Sequence, residues 1–357
     1  MLDDKETVSK LRESKKPVLI YGNMGTSELV YDYLVGENIF AESFAVDEPY
    51  WSEGESRKNL PVKKISDYAD SLDKYNLVIG FCNVNKTKIL LNNPDLLRCG
   101  VYLISRPCMG GGTASWKWNE SYINRSKNKF DEIRKNFNDD LSRKTLDALI
   151  EANSGNFENL LNVSEDNQYF NRLTFEHCPE KEVYADCGAF NGDTVKKYYR
   201  FTDGRYKKIF AFEPMHSNLK ILRKNVSGMH DVNIIEKGVW NRCADLSFVD
   251  NGSSSSFSED NTGEKIPVVT MDSVLKGEKV TFIKMDIEGT EREALHGARM
   301  IIERDMPKLA ICVYHKPNDL IDIYDFLQSL SLKNKYLFYL RHHSNNTSET
   351  VLYAVPT

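Results

Sequence analysis

The stretch at residues 182–214, EVYADCGAFNGDTVKKYYRFTDGRYKKIFAFEP, is the part of the sequence that decides the fold. Two short apolar runs in it each end in a carboxylate, at Asp186 and at Glu213. Between them lies a segment too rich in glycine and polar residues to continue a strand, followed by a helical segment. The stretch therefore predicts strand, glycine loop, helix and strand at residues 182–186, 187–193, 194–199 and 208–212. Pro214 suits the first position of the next helix.

This order of elements suits a nucleoside-bearing ligand that lies across the carboxyl ends of parallel strands. Gly188 and Gly192 let the backbone approach such a ligand, and amides at the helix start offer donors. Glu213 can accept both hydroxyls of a ribose. The loop reads D-x-G-x-x-x-G-D instead of the dinucleotide fingerprint G-x-G-x-x-G, and its leading Asp186 repels a pyrophosphate. The same carboxylate tolerates, or directly recognises, the ammonium and sulfonium groups of S-adenosylmethionine.

From about residue 130 onwards the chain resembles the FkbM family of S-adenosylmethionine-dependent methyltransferases. The motifs that carry the resemblance are YADCGAFNGDT at 184–194, AFEP at 211–214, IKMDIEGTEREALHGA at 283–298, LAICVYHKPNDL at 309–320, YLRHH at 339–343 and ETVLYAVP at 349–356. The resemblance implies methylation of a hydroxyl, often on a sugar or polyketide-type acceptor, with S-adenosyl-L-methionine as the donor. We expect O-methylation of a hydroxyl on a sugar, nucleotide-sugar or related metabolite. The implied cofactor-binding residues are Asp186, Gly188, Ala189, Phe190, Gly192, Asp193, Thr194, Glu213, Pro214, Gly238 and Val239.

A chain of 357 residues exceeds one typical domain. We predict an α/β protein with a small Rossmann-like domain at residues 1–105, a connector and helical region at 106–180, and a methyltransferase domain at 181–357. The resemblance implies the class I methyltransferase fold for the last domain. That fold is a doubly wound, mostly parallel sheet whose antiparallel last strand forms a hairpin with the strand before it. Strands of the first domain are predicted at 17–21, 43–46, 77–81 and 101–104.

Other elements follow from local patterns. The glycine-rich segment 106–118 predicts a flexible connector, and residues 120–161 predict helices with one apolar stripe each. A polar hairpin with a serine-rich tip is predicted at 246–269. Thr290 and Glu293 form the pattern of a capping box that opens a helix, and Asn318 is expected to cap the next helix.

The first domain has a G-x-x-G loop, which lacks one glycine of the dinucleotide fingerprint. One interpretation is a nucleotide or sugar-nucleotide pocket at Gly22, Gly25 and Asp47. The interpretation that we favour is a degenerate α/β module used for packing, dimer contacts or substrate presentation, since a fold does not supply a function.

The candidate catalytic residues are Asp286, Glu288 and His315, which follow predicted strands that point toward the crevice of the glycine loop. If the chain stays extended, the carboxylates of Asp286 and Glu288 face one side, where they could hold a metal such as Mg²⁺ or provide a base. His315, with an ordinary pKa of about 6.5, could take the acceptor proton. The structural alternatives are acids favoured by a helix N-terminus and a hydrogen-bonded histidine. His342 and His343 are further candidates.

Composition limits the partners. The net charge of -5, from 47 basic and 52 acidic residues that are well mixed, gives no reason to expect nucleic acid. No apolar run is long enough for a transmembrane helix and the start is charged, so a cytoplasmic protein is expected. Seven cysteines without a C-x-x-C pair predict reduced thiols. The expected partner is a small-molecule or glycan acceptor, and a homo-oligomer is left open.

Two other functions stay open. One is a nucleotide-sugar-binding or scaffold protein with a catalytically inactive methyltransferase-like domain. The other is an NAD-dependent enzyme that uses the first domain. The intact DCGAFNGDT loop and Glu213 favour a methyltransferase, whereas the glycine missing after Gly22 counts against NAD.

Overall fold

The computed structural model describes residues 4–93, 99–104, 118–153, 158–249, 256–258, 264–330 and 335–357. The predicted glycine-rich connector at 106–117 and most of the serine-rich tip, at 251–255, lie outside these ranges. The described strands form a six-stranded, a seven-stranded and a four-stranded sheet. Within the same ranges, no helix has the length and apolar character needed to span a membrane.

The first unit is built around the six-stranded sheet. Its elements are α1 (Asp4–Ser14), β1 (Val18–Tyr21), α2 (Gly25–Gly36), β2 (Ala41–Val46), β3 (Ser56–Arg57), β4 (Leu60–Lys64), β5 (Asn76–Ile79), α3 (Val84–Leu91) and β6 (Val101–Leu103). The strand order is β3-β4-β2-β1-β5-β6, and all pairs except β3 with β4 are parallel. Alternate residues of β1 enter two different apolar clusters, so the unit has a core on each face of its sheet.

Two strands of this unit were not predicted. In β4 only Val62 is buried, and both residues of β3 are exposed. Because the apolar pattern of a strand reflects the face that it buries, an edge hairpin with one buried residue leaves almost no pattern to read.

Three helices follow the first unit and pack on the second. They are α4 (Glu120–Asn136), α5 (Asp140–Asn153) and α6 (Glu158–Val163). The apolar stripes of α4 and α5 include Phe130, Ile133, Leu146 and Leu149, which are buried in the same cluster as the strands of the seven-stranded sheet. The helical region that we predicted as a separate segment therefore shares the core of the second unit.

The second unit contains the seven-stranded and four-stranded sheets. Its elements are β7 (Val183–Cys187), α7 (Asp193–Phe201), β8 (Lys208–Phe212), α8 (His216–Val226), β9 (Val232–Ile235), β10 (Gly238–Val239), β11 (Ala244–Val249), β12 (Ser256–Ser258), β13 (Glu264–Val269), α9 (Met271–Val274), β14 (Phe282–Met285), α10 (Glu291–His296), α11 (Arg299–Asp305), β15 (Lys308–Cys312), α12 (Asp319–Ser329), β16 (Tyr336–His342) and β17 (Thr350–Pro356). The large sheet has the order β16-β17-β15-β14-β7-β8-β9.

The sheet is mixed and mostly parallel. Strands β7, β8, β9, β14 and β15 pair in parallel, while β17 lies antiparallel between β15 and β16. The closing hairpin and the antiparallel last strand are as predicted. The polar hairpin is also present, as β11 paired antiparallel with β13 in the small sheet.

Some local predictions were wrong. Thr290 does not form a capping box, because its hydroxyl donates to the carbonyl of Ile287 and the amide of Ile287 donates to the Glu291 carboxylate. The side chain of Asn318 forms no cap hydrogen bond. Pro214 does not open a helix, since α8 begins two residues later.

The single helix predicted after Thr290 is divided into α10 and α11. Gly297 lies at the break, and a Cβ there would approach the carbonyl oxygen of Trp240 to 2.0 Å. The close contact between the two backbones requires glycine at this position.

The two units have separate apolar clusters. Residues 8–104 form two of the clusters, and residues 118–354 form the others. Separate cores are the mark of separate domains. We propose a domain boundary between residues 104 and 118, with the helices α4 to α6 belonging to the second domain.

A fragment of residues 118–357 is expected to unfold in one cooperative transition in urea, as followed by circular dichroism. A fragment of residues 181–357 is expected to be unfolded or markedly less stable, because it lacks Phe130, Ile133 and Leu146, and large buried side chains each contribute about 2–5 kcal/mol. If both fragments are equally stable, α4 and α5 do not belong to this core. If the longer fragment is unfolded, the proposed boundary is wrong.

Candidate functional site

A cavity of about 730 Å³ lies at the carboxyl ends of the central strands of the large sheet. Residues after β7, β8, β14 and β15 line it, which is where open α/β sheets bind their ligands. One end of the cavity is formed by the glycine loop between β7 and α7. The other end contains Asp286, Glu288 and Tyr314.

Three residues of the glycine loop, Gly188, Phe190 and Gly192, have a positive φ. Gly188 has a φ of 79°, and a Cβ at this residue would lie 2.0 Å from the carbonyl oxygen of Asp286. Gly192 has a φ of 85°, and its Cβ would lie 2.8 Å from the side chain of Leu222. Glycine is required at both places because a side chain has neither the space nor the backbone conformation. Between them, Phe190 is 54% exposed and lines the cavity.

Glu213 fixes the loops after β7 and β8 to each other. One carboxylate oxygen accepts the amide of Phe190 at 2.9 Å, and the other accepts the amide of Met215 at 2.9 Å and the side-chain amide of Asn218 at 3.1 Å. Burial raises the pKa of Glu213, although these hydrogen bonds oppose the shift. The residue lines the cavity, and its oxygens retain lone pairs for a ligand hydroxyl.

Asp186 lies beneath the loop and not on the cavity surface. Its buried carboxylate forms an ion pair with Lys284 at 3.0 Å and accepts the hydroxyl of Thr194 at 2.5 Å. Lys284 also donates to the carbonyl of Gly188 at 2.8 Å. Of the two roles expected for Asp186, tolerating or directly recognising a ligand ammonium, the geometry favours the first, because its charge is paired inside the protein.

The charges of this pair follow from their neighbours. Burial raises the pKa of Asp186, and Lys284 opposes that shift. For Lys284, burial favours the neutral amine, but Asp186 and Asp286 outweigh it and raise the pKa of the ammonium. Lys284 therefore stays a cation between two acidic strand ends.

The other residues expected at the cofactor site divide into two groups. Ala189 and Gly192 are buried within the loop and do not line the cavity. The remaining expected residues that line it are Gly188, Phe190, Asp193, Thr194, Glu213, Pro214, Gly238 and Val239.

Asp286 is held by two tyrosines and a histidine. Tyr169 donates to one oxygen at 2.9 Å, Tyr314 donates to the other at 3.2 Å, and the Nε2 atom of His315 lies 3.4 Å from the latter oxygen. Burial disfavours the charge of this carboxylate, but Lys284 and His315 outweigh it and lower its pKa. The site thus keeps Asp286 ionised and fixes its orientation.

His315 lies between carboxylates on both sides of its ring. Its Nδ1 atom is 3.0 Å from Glu291, and its Nε2 atom is 3.4 Å from Asp286 and 3.7 Å from Glu288. Burial alone would lower the pKa of His315, but Glu291, Asp286 and Glu288 raise it to about 10. The ring therefore carries its proton at neutral pH, which is the wrong protonation state for a group that is to accept the proton of a hydroxyl.

The positions of the acids differ from the sequence argument. Glu288 has a φ of 55°, so the chain does not stay extended past Asp286, and yet both carboxylates face His315. Potential metal-ligand atoms of Asp286, Glu291 and His315 lie within 4.8 Å of one another, and Glu288 is not in this group. Mg²⁺ prefers oxygen ligands in an octahedral arrangement. With an imidazole between the acids and Glu288 outside the group, the arrangement does not fit the magnesium site that was predicted at Asp286 and Glu288.

Sequence reasoning missed several residues of the acidic end. Tyr169 and Tyr314 hold Asp286, and Gln168 donates to a carboxylate oxygen of Glu349 at 2.5 Å. Glu349 also receives the Tyr314 hydroxyl at 3.4 Å, and burial together with Asp286 raises its pKa. Tyr314 and Glu349 belong to segments quoted above for the family resemblance, whereas Gln168 and Tyr169 lie outside them, and no spacing rule connects any of the four with Asp286.

The two further histidines are neutral. His342 is buried against Thr350 and the carbonyl of Asn346, and burial lowers its pKa to about 3. His343 lines the cavity, and burial lowers its pKa to about 4. Its ring nitrogens contact the carbonyl of Glu165 and the hydroxyl of Tyr353, so the ring has structural partners on both sides.

The loop of the first unit is occupied by its own side chains. Asp47 pairs with Lys86 and accepts the hydroxyl of Tyr21. A Cβ on Gly22 would lie 2.7 Å from the carbonyl oxygen of Gly80, so this glycine serves strand packing. These contacts favour the packing interpretation of the G-x-x-G loop over a nucleotide pocket.

Comparisons with known proteins agree with the resemblance. Residues 186–338 match the family described as Methyltransferase FkbM domain. The methyltransferase FkbM from Methylobacillus flagellatus KT aligns with a TM-score of 0.64 and 21% identity, over 98% of this chain and 93% of that chain. An rRNA methylase from Streptococcus thermophilus aligns over 50% of this chain and 89% of that chain, with 16% identity and a TM-score of 0.34, too low to support an inference. No curated protein matches.

The charge on His315 should make stability depend on pH. Its pKa is higher in the folded state, so the stabilisation from its proton is complete below the unfolded pKa of about 6.5 and is lost as pH rises through about 10. The loss of unfolding free energy caused by His315→Gln, measured in urea, should be largest below pH 6.5 and shrink toward pH 10. The exposed His177→Gln serves as control. An NMR titration that places the pKa of His315 near 6.5 would contradict the geometry.

Proposed function

We propose that this chain, whose residues 186–338 match the FkbM methyltransferase domain, transfers a methyl group from S-adenosyl-L-methionine to a hydroxyl of a small-molecule or glycan acceptor. One observation carries the proposal. A single continuous cavity joins the glycine loop and Glu213 to the fixed carboxylate of Asp286. Its volume of about 730 Å³ lies in the range of ligand pockets, roughly 300–1,000 Å³.

The glycine-loop end fits the donor. Glu213 is a buried carboxylate that faces the cavity after the second strand, where it can accept ribose hydroxyls, and Gly188 leaves the backbone bare beside it. Phe190, exposed over the cavity, offers an aromatic face. When bound, S-adenosylmethionine supplies an electrophilic methyl group on a sulfonium.

The acidic end fits the acceptor. Methyl transfer to a hydroxyl requires an aligned oxygen and a group that receives its proton. Asp286 is ionised, is held at a fixed angle by Tyr169 and Tyr314, and can accept the hydrogen bond of the acceptor hydroxyl. His315, as an imidazolium, keeps Asp286 in place. Glu288, whose pKa is raised by burial, is the second carboxylate that could receive the proton.

A catalytically inactive scaffold is the alternative from another functional class. An inactive scaffold would have the same fold, but it would not require Asp286 to be ionised and held in one orientation. The network of two tyrosines and one histidine around this carboxylate supports the enzyme. An NAD-dependent function is disfavoured, since Lys86 and Tyr21 occupy Asp47 in the first unit.

Calorimetry should detect binding of S-adenosylmethionine and no binding of NAD. Glu213→Gln should weaken donor binding at least about tenfold, or about 1.4 kcal/mol, because it removes one carboxylate oxygen from both the loop amides and the ligand. Glu236→Gln, at an exposed position that does not line the cavity, is the matched control. Tight NAD binding without heat from S-adenosylmethionine would overturn the assignment.

Asp286→Asn should lower turnover by about a hundredfold to ten-thousandfold, the usual contribution of a general base. Affinity for S-adenosylmethionine should stay nearly unchanged, because the lost interaction is made with the acceptor in the transition state. The measurement is S-adenosylhomocysteine formation with a panel of sugar and glycan acceptors, with Asp322→Asn, outside this cavity, as control. Full turnover by the Asp286 variant would show that another group receives the proton.

A further inference from the structure

The cavity extends beyond Asp286 to the first unit. Cys82 and Asn83, which connect β5 to α3, line its wall. These two residues come from the first unit, and the other lining residues of the cavity come from the second unit. We call the turn at Cys82 and Asn83 the corner, and its contacts show whether it is a fixed part of the site.

Polar contacts hold the corner in place. Asp166 accepts the amides of Val84 at 3.0 Å and of Asn85 at 3.2 Å, at the N-terminus of α3. The side-chain amide of Asn345 donates to the carbonyl of Phe81 at 2.7 Å. Asp166 itself lines the cavity. Hydrogen bonds from the second unit therefore hold the chain of the first unit both before the corner, at Phe81, and after it, at Val84 and Asn85.

This end of the cavity is acidic. Its carboxylates belong to Asp166, Asp286, Glu288 and Glu349. Two cations adjoin Asp286, but Lys284 is shared with Asp186, and His315, which does not line the cavity, is shared with Glu288 and Glu291. Lys284 is buried in its pair with Asp186, Lys197 lies 3.8 Å from Asp193 beside the glycine loop, and His343 is neutral.

We infer that the compartment between Asn83, Asp166, Asp286 and Glu349 binds the acceptor, and that it selects uncharged, hydroxyl-rich acceptors and rejects phosphorylated or carboxylated ones. This inference rests on the proposed function. Carboxylates only accept hydrogen bonds, so they pair with the many hydroxyls of a sugar. They repel an anion that enters the same low-dielectric space. Nucleotide sugars and sugar phosphates are thereby excluded as acceptors.

The thiol of Cys82 provides a probe of this compartment that needs no knowledge of the acceptor. Cys82 is exposed and lines the cavity. Its modification rates with the cationic reagent 2-aminoethyl methanethiosulfonate and the anionic reagent 2-sulfonatoethyl methanethiosulfonate can be followed by peptide mass spectrometry of the full chain. Dividing each rate by that of the same cysteine in urea-unfolded protein removes the intrinsic difference between the reagents.

The expected result is a preference of Cys82 for the cation of roughly tenfold or more, as potentials in acidic clefts produce. Asp166→Asn, at the carboxylate that bonds the amides after Asn83, should reduce the preference at least about twofold, whereas Glu236→Gln, which does not line the cavity, should not. Cys243, exposed and outside the cavity lining, should not share the preference. Equal or faster reaction with the anion overturns the inference, and so does a Cys82 that reacts with neither reagent.

A second arm tests the acceptor class directly. With S-adenosylhomocysteine present, millimolar glucose 6-phosphate should not protect Cys82 from the neutral reagent methyl methanethiosulfonate, and protection would contradict the inference. Calorimetry with S-adenosylmethionine on the same protein separates the two proposals. Donor binding without a charge preference at Cys82 overturns only the acceptor class, while a charge preference without donor binding overturns only the proposed function.

Discussion

The buried ammonium of Lys284 is the interaction on which the site depends. It lies on β14, pairs with Asp186 of the neighbouring β7, and bonds the carbonyl of Gly188 in the loop that follows. A buried charge is costly unless it is paired and hydrogen-bonded, and here the geometry supplies both. One side chain thereby fixes the glycine loop, joins two central strands at their carboxyl ends and places positive charge behind Asp286. Removing either partner would leave an uncompensated charge in the core.

The charge pattern continues outward from this pair. Lys284 and His315 are two cations next to Asp286, and both lower its pKa. Glu291 in turn keeps His315 protonated from the far side of the ring. Positive and negative groups therefore alternate from the core to the cavity. The ionisation of each group depends on its neighbours, and none of these states follows from the residue type alone.

How much of this the sequence could predict depends on how local the signal is. The glycine loop, the central strands and the closing hairpin were predicted because each leaves its pattern within a few residues. The burial of Asp186 was not predicted, since its partner Lys284 is distant in the chain. A carboxylate at the end of a strand has the same sequence pattern whether it is buried or exposed. The contact of Tyr169 with Asp286 joins residues 117 positions apart. His315 was expected to accept a proton because it follows an apolar strand and has an ordinary pKa of about 6.5, and no local pattern places Glu291 against its ring. The edge strands β3 and β4 bury too little to leave a pattern.

The corner after β5 is supplied by a sheet that has its own apolar clusters, apart from those that support the glycine loop. Changes in sequence at Cys82 and Asn83 can therefore accumulate without disturbing the packing behind Gly188 and Lys284. A change of residue at this corner would alter the cavity wall at Cys82 and Asn83 while leaving the residues around the glycine loop in place.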